Sequence, residues 1–272
     1  MVAGELVDEQ ERLPAAGLLP VQAHPVIGGN EGHSYYRIGV AVGSGSSLRV
    51  ERRDDGVVGL WLDRPEKRNA LDRELVTALT DAFGDSDARA FVLGSSAPRA
   101  FSAGADLDLP DGERAQVSDL LYRLYGVMLA GRAPIVAAVS GPAVGGGAQL
   151  ALASDLRVGA PDARLRFVGP GHGLAIGAWG LPSLVGRGRA AELCLTMRPV
   201  DAEEALALGL LDRIAPDPRA AALELAAGFT QLDADAVARV KAVVRTASNV
   251  LDALEQERVG NLEAWSGAVA RR

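Results

Sequence analysis

Residues 135–158, IVAAVSGPAVGGGAQLALASDLRV, constrain the fold more than any other stretch of the chain. The apolar run 135–139 reads as a buried strand, glycines 145–147 open an apolar helix over about 146–153, and DLRVGA reads as the next strand. A strand, a helix and a strand in succession require a crossover, which places the two strands parallel in one sheet. The same rhythm runs upstream. Strands at 48–53 and 57–62 are joined by the hairpin signal Asp54-Asp55-Gly56. A helix capped by Asp72 then runs to Phe83 with Leu75, Leu79 and Phe83 on one face, ARAFVLGSS reads as a buried strand, and a helix follows at about 115–130. From about 176 onward nearly everything reads as helix: a segment capped by Asp201 and closed by Gly209, and amphipathic stretches at 233–247 and 250–268. The expected class is α/β. Hydrophobic residues make up 48% of the chain and aromatics 4%, so its core must be built from Ala, Val and Leu.

Three segments are expected: a flexible extension over 1–46, ending in the linker-like GSGSS; a core over 47–200; and a helical region over 201–272. Within the extension, YYRIGVAV has the alternative reading of an added edge strand. There is no internal repeat. The net charge of −7 gives no footprint for nucleic acid or an anionic membrane surface. No run approaches the roughly 18 apolar residues of a spanning helix, and the start of the chain lacks the pattern of a signal peptide, so no membrane insertion and a cytoplasmic location are expected. The single cysteine, Cys194, rules out an intrachain disulfide and sits in an apolar, helix-like run. No metal site is expected, because two of the three histidines, His24 and His33, fall in the extension and no ligand cluster accompanies His172.

Two loops share one physical property. In RAFSAGADL (99–107) and in GPAVGGGAQL (141–150), small residues follow a strand and leave main-chain N–H groups without side-chain cover. Such donors bind anions. If the amides of Ala105 and Gly146 converge, they form a two-donor hole for a carbonyl oxygen that gains negative charge, with the helix N-terminus behind it. The plainer reading is that the glycines only permit close helix–sheet packing. A phosphate-binding loop is poorly supported, since GxxxxGK[ST] is absent.

Taken with LDRPEKRNALD (62–72), these stretches resemble the crotonase superfamily, the enoyl-CoA hydratase/isomerase family, in the words and in their order and spacing, over about residues 48–265. The resemblance implies a crotonase-like spiral of repeated ββα units with a C-terminal helical trimerisation region, a homotrimer or dimer of trimers, and an acyl-CoA thioester as substrate or ligand, with no permanently bound cofactor. It implies that the thioester oxygen lies between the amides of Ala105 and Gly146. The CoA would lie along Ser102, Ala103, Gly104 and Asp106, with Lys67, Arg68 and Ala70 beside it, and Gly145, Gly171 and Trp179 would border the acyl pocket. The plainer reading of Lys67 and Arg68 is an ordinary solvated loop.

Departures from the pattern bear on activity. Family hydratases use two glutamates; here the first position is Gln149, and the second falls at Gly171, after the matching Phe167 and Pro170. A carboxamide orients water but cannot take a proton near neutral pH. His172, with an imidazole suited to general base work, is the alternative proton carrier. Family chains also commonly continue past the last helix, whereas this sequence ends at Arg271-Arg272, so some CoA contacts are expected to be absent or supplied by the arginines. The pattern looks most like actinobacterial members lacking the two hydratase glutamates. Three functions stay open: an acyl-CoA binder in lipid or fatty acid metabolism with little hydration activity; an active isomerase, decarboxylase or thioester hydrolase, or a lyase with an unseen base; and a fold-only structural or interaction subunit.

Overall fold

The computed structural model describes residues 39–40, 47–97 and 99–269. Its elements follow in chain order. The first half comprises β1 (Gly39–Val40), β2 (Leu48–Arg52), β3 (Val57–Leu62), α1 (Arg73–Phe83), β4 (Ala90–Ser95), α2 (Asp111–Ala130), β5 (Ile135–Val139), β6 (Pro142–Val144) and α3 (Gly146–Ala153). The second comprises β7 (Leu156–Gly159), β8 (Arg164–Arg166), α4 (Leu181–Thr196), β9 (Val200–Asp201), α5 (Ala202–Leu208), β10 (Arg213–Ile214), α6 (Pro218–Thr230), α7 (Ala234–Ala247) and α8 (Val250–Val269). The edge-strand alternative holds at Gly39–Val40, which pairs antiparallel with Glu51 and Arg52. The rest of the extension expected over 1–46 lies outside the described residues.

Two sheets share the strands. The larger has the order β1-β2-β3-β4-β5-β7-β10 and is parallel from β3 onward; the smaller is β6-β8-β9. Successive units send their first strand to the large sheet and their second to the small one before a helix follows, as in β5-β6-α3 and β7-β8-α4. Each passage between sheets turns the chain through the next layer of the spiral. Earlier units keep the pattern in reduced form: Ser102, after β4, bridges Ala143 of β6, and Leu71, after β3, bridges Ala105.

Every residue of β3 and of β5 is buried, as a parallel sheet covered on both faces requires. On one face α6 packs Ala222 and Ala226 against Val57, Trp61, Val92 and Val136. On the other, α1, α2 and α3 bury Leu75, Leu79, Leu124, Met128 and Leu150 in the main core. Helix starts follow the capping residues: the side chains of Asp72, Asp201, Asp217 and Asp233 each accept the backbone N–H three residues on. The strands β9 and β10 interrupt the stretch that the pattern reads as helix; each is two residues long, too short for alternation to reveal.

Candidate functional site

The first motif earns its residues by clamping the second. Asn69 donates from Nδ2 to Ser95 Oγ and to the carbonyls of Ala100 and Phe101, and accepts from Arg64 N. The Arg64 guanidinium in turn reaches Ala70 O, Asp72 at 3.1 Å and Asp106 at 3.4 Å. These bonds hold the loop after β4 against the segment after β3, with Leu71 N donating to Gly104 O and Asp106 N to Leu71 O. Ser102 is fully buried, its hydroxyl donating to Asn69 O and accepting from Gly104 N.

Close approach of the glycine turn completes the arrangement. Gly104 has φ of +88°, and a methyl group there would stand 2.6 Å from Val144 O and 3.3 Å from Gly146 N. Only glycine lets the two loops meet this closely. Gly147 packs as tightly on Ser102, where a Cβ would lie 2.6 Å from its carbonyl oxygen. The amides of Ala105 and Gly146 have no acceptor among the described residues, and both residues line one cavity of about 270 Å³. Gly146 is the first residue of α3, so the positive end of that helix faces the same space.

Leu121 and Tyr122 of α2, Val168, Leu174 and Ile176 of the loop after β8, and Trp265 of α8 form the cavity's apolar walls, with Arg114 and Arg166 beside them. Arg114 lies over the Trp265 ring at 5.2 Å and pairs with Asp111. His172 lines the cavity too, exposed and without a side-chain partner among the described residues.

Of the residues expected here, Ala103, Gly104, Ala105, Gly145, Gly146, Gln149 and His172 come together around this cavity. Others sit elsewhere. Trp179 does not border it: the ring is buried, stacks on Tyr125 at 6.0 Å and donates Nε1 to Gln149 Oε1 at 2.7 Å, so it backs the site instead of walling it. Gly171 faces away, its amide toward Met197 Sδ. Ser102 and Asp106 turn their side chains into the loop's own hydrogen bonds, and Ala70 is buried. Lys67 is paired with Asp108, whose carboxylate holds the ammonium above its usual range, while Arg68 is exposed in a left-handed turn.

Glu257, an acid beside the glycine-turn helix, is the residue of this region that the sequence reading missed. It is buried on α8, accepts from the Tyr122 hydroxyl at 2.6 Å, from Gly177 N at 3.0 Å and from Trp179 N at 2.8 Å. Burial pushes its carboxyl above the usual glutamate range, against the pull of these donors. Gly177 N–H is shared, since Gln149 Oε1 accepts from it at 3.0 Å as well. Asn261, one turn on, donates to the Tyr122 hydroxyl and to Ala175 O. Glu257 therefore stands behind Gln149 and Tyr122, not in the cavity wall. The signal was a polar intrusion: the buried stripe of α8 reads Val250, Leu254, Glu257, Asn261.

Among the described residues no group of three or more His, Cys, Asp or Glu is placed to hold a metal, and no helix is long and apolar enough to cross a membrane. The Cys194 thiol, half-buried, is pushed up to about 11 by burial.

Comparison with known proteins agrees with this architecture. A probable enoyl-CoA hydratase, echA6, of Mycobacterium leprae is 37% identical over 222 residues, 78% of this chain and 88% of the relative. Its counterpart in Mycobacterium tuberculosis is 44% identical over 180 residues, 63% of this chain and 73% of the relative. Among solved structures, an enoyl-CoA hydratase/isomerase from Mycobacterium paratuberculosis superimposes with a TM-score of 0.74 at 30% identity, covering 81% of this chain and 94% of that one. The actinobacterial likeness agrees with these mycobacterial relatives. The family model described as enoyl-CoA hydratase/isomerase matches residues 52–268, and together with the spiral of ββα units and the paired loops this places the chain in the enoyl-CoA hydratase/isomerase family.

Proposed function

We propose that the protein binds acyl-CoA thioesters, with the thioester oxygen between the amides of Ala105 and Gly146, and hydrates enoyl-CoA poorly. The observation that carries this reading is the cavity wall: Ala105 and Gly146, whose backbone N–H groups have no acceptor among the described residues, both line it, and no Asp or Glu side chain does. Gln149 cannot stand in for a base. Its amide lacks a usable proton-accepting state, and its oxygen is already taken by Gly177 N and Trp179 Nε1. Polarisation of a thioester remains available from the two amides and the α3 N-terminus. The same reading has no permanently bound cofactor, a cytoplasmic setting, and assembly as a homotrimer or dimer of trimers.

Calorimetric titration with butyryl-CoA and crotonyl-CoA should give saturable heat, and steady-state hydration of crotonyl-CoA should run at least about 100-fold below ordinary family hydratases, the contribution of the missing acid–base pair. Turnover at ordinary hydratase rates would refute the poor-hydration half, and absence of any binding heat would refute the binding half. A second reading, an active isomerase, decarboxylase or thioester hydrolase, is favoured by His172, which faces the cavity with an uncommitted imidazole. Under that reading, residual turnover disappears in His172→Ala.

A further inference from the structure

The small sheet brings to the cavity a positive charge that the fold does not balance. Side chains of a strand alternate between faces, and β8 follows the rule: Leu165 and the next residue of that parity, Phe167, are buried in the core, while Arg166 and Val168 line the cavity. Arg166 stands opposite Val144 of β6, another residue of the wall, and its carbonyl accepts from Gly145 N at 2.8 Å. The arginine is thereby tied to the residue that precedes the Gly146 amide.

Its neighbours leave most of the guanidinium uncommitted. Nε donates to Met197 O at 2.6 Å, and among the described residues the two Nη groups have neither a hydrogen-bond acceptor nor a carboxylate partner. Other arginines here are matched: Arg114 of the same wall by Asp111, and Arg198, next in the chain to Met197, by Glu192 and Glu204. Gly171 N points to Sδ of the same Met197 at 3.4 Å, which brings the adjacent His172 to Arg166's side of the cavity. No Asp or Glu lines the wall. A guanidinium beside apolar side chains and short of counter-charge favours an anion that can take two of its N–H groups at once.

We propose that the site selects acyl-CoA thioesters whose acyl chain ends in a second carboxylate, and that Arg166 is the group that recognises it. The inference rests on the cavity being an acyl-CoA site. The phosphates of CoA are the rival anion, but they lie a whole pantetheine arm from the thioester oxygen, and an arginine side chain is far shorter than that arm. Arg166 is fastened to the glycine turn proposed to hold this oxygen, so its reach covers the acyl group. A plain alkanoyl chain leaves the guanidinium to water, whereas a terminal carboxylate adds charge attraction in a partly apolar setting.

Titration calorimetry on the full chain tests the idea with succinyl-CoA against butyryl-CoA and glutaryl-CoA against pentanoyl-CoA, pairs that differ only by a carboxylate in place of the terminal methyl group. In at least one pair the carboxylated thioester is expected to bind about tenfold more tightly, the effect of a charge-assisted pair partly open to water. Added salt should narrow that ratio. Arg166→Met, checked for folding by thermal melting, should bring the ratio to one or below, and Arg166→Lys, which retains the charge, should keep the carboxylated thioester the tighter. Equal affinity within both pairs, or a preference for the neutral members, overturns the proposal and leaves the acyl-CoA site standing. A ratio unchanged in folded Arg166→Met, with both members weakened alike, assigns the guanidinium to the CoA phosphates and overturns it too. Failure of all four thioesters to bind refutes the acyl-CoA site itself.

Discussion

Position 149 holds an amide, and its neighbours explain why an acid would fit badly there. Gln149 Oε1 and Glu257 Oε1 share the Gly177 N–H, each at 3.0 Å. Two carboxylates at that separation repel, and one would have to take a proton or move away. Gln149→Glu should destabilise the fold by about 2 kcal/mol at neutral pH. The loss should shrink as pH falls, because protonating either carboxyl removes the repulsion. Adding Glu257→Gln should restore most of the stability, a non-additivity that urea unfolding of the two single variants and the double variant would measure. If the double variant loses the sum of the two single losses, the carboxyl groups do not interact. The buried acid of this region sits on α8 and not on the glycine-turn helix, and nothing in the sequence around position 149 announces it.

At the scale of elements, α8 does more than cover α2. Glu257 anchors to it the loop that carries Leu174 and Ile176, through Gly177 N and Trp179 N, and Asn261 Oδ1 holds Ala175 N. Because burial holds the Glu257 carboxyl above the ordinary glutamate value of 4.5, the folded state binds its proton more tightly than the unfolded state does. Its contribution is thus fully present below the unfolded value and lost as pH rises through the folded one. Wild type should lose stability relative to Glu257→Gln as pH climbs from about 4.5, in urea unfolding at stepped pH. A flat difference across that range would show that the carboxyl titrates as in the unfolded chain.

Much of the rest was legible. The strands at 57–62 and 135–139, the Asp caps at 72 and 201 and the close of α5 at Gly209 stand where pattern and capping chemistry put them. The meeting of the loops at Gly104 and Gly146 followed from small residues in two places. Trp179 was misplaced because its position in the chain says nothing of which side of the loop its ring takes. Glu257 was missed because an acid among Glu255, Arg258 and Glu263 reads as a solvated helix face until the stripe through Leu254 and Asn261 is traced.

On the scale of the whole molecule, α7 leaves Val240, Val243 and Val244 exposed, and Val240 and Val244 border a groove of about 730 Å³ that also takes in Leu184 of α4. Such a face suits association of like copies. Sedimentation should give three times the chain mass of 28.2 kDa or a multiple of it, and Val240→Asp/Val244→Asp should shift the protein toward 28.2 kDa. A wild-type monomer at micromolar concentration would count against the trimer. The sheet and the paired loops are complete by residue 214, yet the carboxylate that fixes the backs of Gln149 and Tyr122 arrives at 257. A ribosome must therefore release the chain through α8 before the cavity acquires its rear support, so translation that stalls within that helix yields a chain with its scaffold built and its cavity unbraced.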